Sequence, residues 1–277
     1  MADESSYFAP SLFVNHGGGP NPVLGVKSNL EFAKSLREVK NYVDFSRLKG
    51  IILVTAHWEA DIVSISSGEK HELLFDYYNF PPESYEYKYG GRGDPILARK
   101  VYDALSKEGI PSRLDDKRGW DHGVFIPMML IRPEADIPIV QVSVLKNHDA
   151  KQHYEIGKVL HQFRKDGIAV LGSGLSYHNM KNMKAMRGVE IKDGELDIQN
   201  EEFDSFLNKV CTSDEQTREG LLSWRKVPGA LEAHPEGEAD HFMPLVVAAG
   251  AAGPSKGRRV HKSAFYNRFR MSGFVWE

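Results

Sequence analysis

The 277-residue chain is long enough to bury a full hydrophobic core, and with 41% hydrophobic and 26% charged residues it has the composition of an ordinary globular protein. A formal net charge of −3 gives the molecule no electrostatic reason to bind nucleic acid or an anionic membrane, and no stretch is long and apolar enough to span a bilayer. The single cysteine, Cys211, excludes an intrachain disulfide, and the acidic first ten residues lack the apolar run of a secretory signal. We therefore expect a cytoplasmic protein and, since no break in composition marks a linker, one domain spanning residues 1–277.

Strands and helices alternate along the predicted chain, as judged from apolar runs, helical spacing and capping residues. In chain order we predict a strand at Ser11–Asn15, a helix at Leu30–Val43, strands at Gly50–Ala56 and Ile62–Ser66, a helix between Asp94 and Gly109, a strand at Pro138–Val144, a helix at Asp149–Lys165, a strand at Ile168–Gly172, helices at Asn200–Cys211 and Phe242–Ala249, and a strand at Ser263–Trp276. The polar stretch Lys181–Gln199 is predicted to be a surface excursion. The alternation predicts an α/β fold with a central, mostly buried sheet flanked by helices.

Three of the eleven histidines follow predicted strands. His16 comes directly after the first strand, His57 directly after Gly50–Ala56, and His178 shortly beyond Gly172. Ligands of α/β sheets bind beyond the carboxyl ends of strands, and imidazole is the commonest transition-metal ligand, so a site is expected there. Taken singly, His16 is equally a surface histidine in a glycine turn, and His57 is more often a satisfied core histidine.

Two further segments supply candidate groups. In Gly119-Trp120-Asp121-His122-Gly123 the aspartate either orients the His122 ring or simply caps a helix. The segment from His234 to His241 holds two histidines and three carboxylates, which is either a supply of ligands or an acidic surface loop. His153 and His161 lie on a charged predicted helix, where a solvated face is expected.

The stretch Phe75–Tyr89 is rich in aromatic residues. It is interpreted equally well as a lid over an aromatic ligand and as a loop packed by its own rings.

Taken together, these segments resemble the class III extradiol ring-cleavage dioxygenases of the LigB type, and most closely the DOPA 4,5-extradiol dioxygenase branch. Six stretches carry the resemblance, in the family's order and over nearly the whole chain: VNHGGGP, VTAHW, FDYYNFPPESYEYKYGGRGDP, GWDHGVFIP, GSGLSYHNM and DHFMPLVVAAGAAG. Two of them depart from the usual pattern. The family's His-Gly-Ser-Pro is here His16-Gly17-Gly18-Gly19-Pro20, and the C-terminal motif is longer between Pro235 and His241.

The resemblance implies that His16 and His57 are metal ligands and that the third ligand comes from the C-terminal motif. Because that motif is longer than usual, His234 and His241 both qualify. We favour His241, since a ligand at a helix start is better fixed than one in an acidic loop. In some relatives the third ligand is a carboxylate, which leaves Glu236, Glu238 and Asp240 as alternatives.

The resemblance also assigns two catalytic histidines. His178 falls on the family's loop histidine, which is either a fourth metal ligand or the acid–base group. His122 falls on the histidine that faces the substrate and is expected to stabilise oxygen charge and donate a proton.

The activity implied is opening of the ring of a DOPA-like catechol with O₂, with Fe(II) expected for activity and Zn(II) able to occupy the same site. The expected partners are therefore a small catechol and O₂, and no sequence feature predicts an oligomeric state. Two alternatives use the same residues. One is a zinc-dependent hydrolase in which zinc-bound water is the nucleophile. The other is a non-enzymatic, metal-binding interaction protein of the same fold.

Overall fold

The computed structural model describes residues 7–186 and 199–277, and in these ranges eight strands form one mixed sheet. The strands are β1 (Ser11–Asn15), β2 (Gly50–Ala60), β3 (Val63–Ser66), β4 (Ser112–Asp115), β5 (Ile139–Leu145), β6 (Ile168–Gly174), β7 (Gly257–Phe265) and β8 (Phe269–Trp276). Their order across the sheet is β4-β3-β5-β2-β6-β1-β8-β7. The four central strands β5, β2, β6 and β1 are parallel, whereas β3 and β8 flank them in antiparallel register.

Helices cover both faces of this sheet. The α-helices are α1 (Asn21–Leu24), α2 (Leu30–Glu38), α3 (Pro95–Lys107), α4 (His122–Ile131), α5 (Ala150–Leu160), α6 (Met180–Ala185), α7 (Glu201–Cys211), α8 (Glu215–Arg218), α9 (Ala230–Ala233) and α10 (Met243–Ala251). Short 3₁₀ helices lie at Lys27–Asn29, Val39–Asn41, Phe45–Arg47, Pro82–Tyr85, His161–Asp166 and Glu219–Lys226. No helix within residues 7–186 and 199–277 could cross a membrane.

The central strands are mostly apolar and mostly buried because each face packs against a separate core. In β1, Phe13 belongs to the core under α3, α5 and α10, whereas Leu12 and Val14 belong to the core under α2 and α4. In β2 the same alternation places Ile52 and Val54 in the first core and Ile51 and Leu53 in the second. Burial on both faces is the arrangement expected of parallel strands, and it confirms the predicted α/β fold.

Two predicted strands differ from the structure in ways that matter for the site and the sheet. The strand predicted at Gly50–Ala56 continues to Ala60 through a register shift, so that His57 lies inside β2 rather than after it. The strand predicted at Ser263–Trp276 is wrong, because the chain reverses there and forms the antiparallel hairpin β7–β8. That reversal contains no glycine or proline, so the usual turn signal is absent.

The surface excursion predicted at Lys181–Gln199 begins inside α6, and residues 187–198 lie outside the described residues. The first six residues, part of the segment used to exclude a secretory signal, also lie outside them.

Candidate metal centre

Five histidines that are far apart in the chain meet at the carboxyl ends of the central strands. His16 follows β1, His57 lies near the end of β2, His122 opens α4, His178 lies between β6 and α6, and His241 directly precedes α10. Their rings contact one another: the centroid of the His16 ring is 5.0 Å from His57, 5.2 Å from His241 and 5.5 Å from His122. The His178 ring stacks on His241 at 3.6 Å. All five predicted site residues are therefore brought together.

Hydrogen bonds fix which nitrogen of each ring faces the centre. The Ser173 hydroxyl donates to the Gly123 carbonyl oxygen, so its oxygen accepts from His16 Nδ1–H at 3.0 Å. His241 Nδ1–H donates to the Asp240 carboxylate at 2.6 Å. Such outward hydrogen bonds are the usual support of metal-binding imidazoles, and they leave the Nε2 lone pairs of His16 and His241 free.

The third ring completes the pattern. His57 Nδ1 lies 3.5 Å from a carboxylate oxygen of Asp76, and its Nε2 lies 3.2 Å from Nε2 of His16. Two ring nitrogens at this separation either share a hydrogen bond, when one of them carries a proton, or direct both lone pairs at a common cation. Both nitrogens can reach one ion at the ordinary metal–imidazole distance of about 2.1 Å.

Burial keeps these rings neutral. It lowers the pKa of His16, His57 and His241 well below the usual value, and repulsion from the neighbouring imidazoles lowers it further. A neutral imidazole has the free lone pair that metal binding requires.

The described residues contain two neighbouring sets of possible ligands. His16, His57 and His122 offer nitrogen atoms within 4.8 Å of one another, and so do the ligand atoms of His178, Asp240 and His241. His241 also contacts the first set, since its ring centroid is 4.8 Å from that of His57. It therefore connects the two groups.

His234, the competing C-terminal candidate, lies elsewhere. It is fully buried, and its ring packs against Phe203, Trp224 and Phe242 at centroid distances of 5.0–6.1 Å. Its Nε2–H donates to the Ser176 carbonyl oxygen at 3.1 Å. Of the two histidines, only His241 lies in the cluster. Among the three carboxylates of this segment, Asp240 reaches it, whereas the side chains of Glu236 and Glu238 are exposed.

A close backbone approach places His241. Gly174, the last residue of β6, packs so tightly on the His241 backbone that a Cβ there would overlap the His241 carbonyl oxygen. The Leu175 N–H donates to the same oxygen at 3.1 Å. The Gly172–Gly174 pattern, predicted only to make a tight loop, is thus needed for strand and ligand segment to touch.

Asp76 orients two of the rings, a role that the sequence did not indicate. One of its oxygens accepts hydrogen bonds from the backbone N–H of His122 at 2.9 Å and from His122 Nδ1–H at 2.8 Å. Burial alone would raise the pKa of Asp76, but the hydrogen bonds and the charges of His122 and His57 lower it to about 2. The only sequence signal was its place in the aromatic stretch.

Asp121 does not hold the His122 ring, so that interpretation is wrong. It is fully buried, where it accepts hydrogen bonds from Thr55 Oγ1 at 2.7 Å and Gln141 Nε2 at 2.5 Å and pairs with Arg118 at 3.3 Å. Burial raises its pKa, as does the nearby charge of Asp76. Asp121 is the N-cap residue of α4, although its side chain makes no capping hydrogen bond.

A cleft of about 710 Å³ opens over the imidazoles. His57, His122, His178 and His241 line its inner part, and the glycine run after His16 lines it as well. The aromatic stretch is packed by its own rings, as one of its two interpretations predicts, and its role as a lid over a ligand stays a prediction. Tyr77 packs against Tyr85 and Phe80 at 5.3 and 5.5 Å, and Tyr77 and Phe80 also line the cleft.

Comparison with known proteins gives a consistent result. A family model described as the catalytic LigB subunit of aromatic ring-opening dioxygenase matches residues 11–275. The chain is 43% identical over 255 residues to the dioxygenase tasH of Hapsidospora irregularis, covering 88% of this chain and 78% of that protein. It is 33% identical to the 4,5-DOPA dioxygenase extradiol of Beta vulgaris, covering 91% of each. A crystal structure of an uncharacterized Escherichia coli K12 protein superposes with a TM-score of 0.75 at 24% identity, covering 97% of this chain and 100% of that one, which shows a shared fold.

Proposed function

This chain belongs to the LigB family of aromatic ring-opening dioxygenases and is a metal-dependent extradiol dioxygenase, and from that premise we propose that its substrate is a DOPA-like catechol. Curated relatives named as 4,5-DOPA dioxygenases, among them those of Beta vulgaris and Mirabilis jalapa, support this substrate class. The cleft also suits a flat ring, since Tyr77 and Phe80 line it beside the imidazoles.

We assign the metal to His16, His57 and His241. The observation that carries this assignment is the 3.2 Å separation of the His16 and His57 Nε2 atoms, each with its Nδ1 turned toward a protein oxygen. The donor set suits Fe(II), and Zn(II) fits the same nitrogens. A ferrous ion held on one side by three side chains would supply open positions at which a catechol and O₂ can meet.

His178 is assigned as the general base. Burial lowers the pKa of its ring, which is therefore neutral at pH 7 and able to accept a proton. Its Nδ1 is buried and has no hydrogen-bond partner among the described residues, and the ring lines the cleft. We propose that it takes the proton of a catechol hydroxyl. Stacking on His241 holds the ring in place for that transfer.

His122 is assigned to the oxygen chemistry. Its Nδ1–H is bound to Asp76, its ring centroid lies 3.8 Å from that of His57, and it lines the cleft. As an imidazolium, His122 can donate the proton of Nε2, the nitrogen not held by Asp76, to a developing oxygen anion and remain bonded to Asp76 through Nδ1–H. The match to a ring-opening dioxygenase family over residues 11–275 favours this function over the hydrolase and binding-protein alternatives.

Reconstitution with Fe(II) under anaerobic conditions, followed by addition of O₂, tests this function. With DOPA we expect O₂ to be consumed and a yellow muconic semialdehyde-type product to form. Zn(II)-loaded protein is the control and should consume no O₂. Absence of O₂ consumption with Fe(II) and every catechol of a panel would contradict the proposed substrate class.

A further inference from the structure

The tip of the β7–β8 hairpin has an unusual backbone. Residues 266–268 connect Phe265 to its strand partner Phe269, and Tyr266 and Asn267 both adopt the left-handed conformation, with φ of 52° and 55°. The Asn267 N–H closes the turn by donating to the Ala264 carbonyl oxygen at 2.8 Å. Asparagine tolerates this conformation, but for a bulky aromatic residue it is rare and strained. A turn selected for folding alone would favour Asn or Gly at position 266.

The left-handed backbone changes where the tyrosine ring points. Successive side chains of a regular strand point to opposite faces of the sheet. Here the rings of the successive residues Phe265 and Tyr266 contact each other, with centroids 4.2 Å apart, and both line the cleft. The strained turn thus presents an aromatic side chain to the cleft that an ordinary turn would direct away.

Tyr266 lies apart from the reacting groups. Its ring packs on Phe265, whereas the imidazoles of the site pack on one another. Met180 and Met183 of α6 line the cleft as well. Aromatic rings and thioethers make favourable contacts with the flat or aliphatic groups that a catechol ring can carry.

We propose that Tyr266 is a specificity-determining residue whose ring contacts the substituent of a substituted catechol, so that the enzyme selects such catechols over catechol itself. The inference rests on the proposed function, since it assumes a catechol bound at the imidazoles. The observation that carries it is a tyrosine in the left-handed conformation that lines the cleft at a position where asparagine would relieve the strain.

Equilibrium binding to Fe(II)-loaded protein without O₂ tests the proposal, because it needs no turnover. Tyr266→Asn fits the left-handed backbone, so the variant is expected to fold, which its melting curve checks. We expect its affinity for DOPA to fall about three- to tenfold and its affinity for catechol to change less than twofold. Two control variants should retain the wild-type ratio of the affinities for DOPA and catechol. Tyr266→Phe keeps the aromatic ring, and Asn267→Gly alters the same turn at a residue that does not line the cleft.

Each outcome is decisive. If Tyr266→Asn lowers the affinities for DOPA and catechol equally, or changes neither, the ratio of the two affinities is that of the wild type and the role of Tyr266 is overturned. If Tyr266→Asn loses the selectivity for DOPA that the wild type shows, but the wild type consumes no O₂, the proposed reaction is wrong and the role of Tyr266 stands. If the wild type binds neither catechol, both proposals are overturned.

Discussion

At the residue scale, the orientation of two imidazoles depends on one carboxylate. Asp76 bonds to His122 and faces His57 Nδ1 at 3.5 Å, so its removal should loosen both a proposed ligand and a proposed proton donor. For Asp76→Ala we expect metal affinity or kcat/KM to fall about 10- to 100-fold. Chelator competition and O₂ uptake measure the two quantities. Asp136→Ala, which removes only an exposed ion pair with Arg132, is the matched control. Wild-type values in Asp76→Ala would contradict the positioning role.

His178 allows a second prediction at this scale. Its replacement by alanine removes the proposed base but leaves His16 and His57 in place, so turnover should be abolished while DOPA binding remains detectable. O₂ uptake and anaerobic ligand binding separate the two effects. His161→Ala, which removes a half-buried ring bonded to the Ala251 carbonyl oxygen, is the control and should keep its turnover. Unchanged turnover in His178→Ala would refute the assignment.

Sequence reasoning predicted the imidazoles of the site but not the groups that orient them. His16 and His178 were detectable because they follow apolar strands, whereas His122 was indicated only by the resemblance of its Asp-His-Gly motif to the family. Asp76 pairs with a ring 46 residues away, and only the folded chain shows that contact. The assignment of His16, His57 and His241 as ligands stays a prediction.

At the element scale, a buried histidine joins strand β5 to helix α5. The prediction that His153 is solvated is wrong, since the residue is fully buried. Its Nδ1–H donates to the Asp149 carbonyl oxygen at 2.7 Å, and its Nε2 accepts from the Leu145 N–H at 2.9 Å. A second proton on the ring would bind Nε2 and would therefore face the Leu145 N–H group. Burial is the main cause that lowers the pKa of His153 to about 4.

This connection should weaken in acid. The pKa of His153 is lower in the folded than in the unfolded state, so its stabilising contribution is complete above about pH 6.5 and is lost as the pH falls toward 4. Between pH 6.5 and 5 the free energy of unfolding should fall by about 2 kcal/mol more in the wild type than in His153→Gln, which cannot be protonated. Urea denaturation at pH 7 and pH 5 measures the difference. The same pH dependence in both proteins would contradict it.

At the scale of the whole molecule, the layers were predictable from sequence and the sheet order was not. Apolar runs on β1, β2, β5 and β6 indicated strands buried on both faces, which both cores confirm. The placement of β8 beside β1 depends on pairing across more than 250 residues, for which local patterns carry no information. The hairpin itself was missed because its turn uses Tyr266 and Asn267 where glycine would be expected.

The whole fold serves to bring imidazoles from β1, β2 and the segment before α10 to one point, and metal content measures that convergence most directly. We expect the wild type to bind one Fe(II) per chain in an anaerobic titration and His241→Ala to lose that ion. His234→Gln should retain it, because His234 lies in the aromatic core outside the cluster. One tightly bound ion per chain in His241→Ala would contradict the proposed centre.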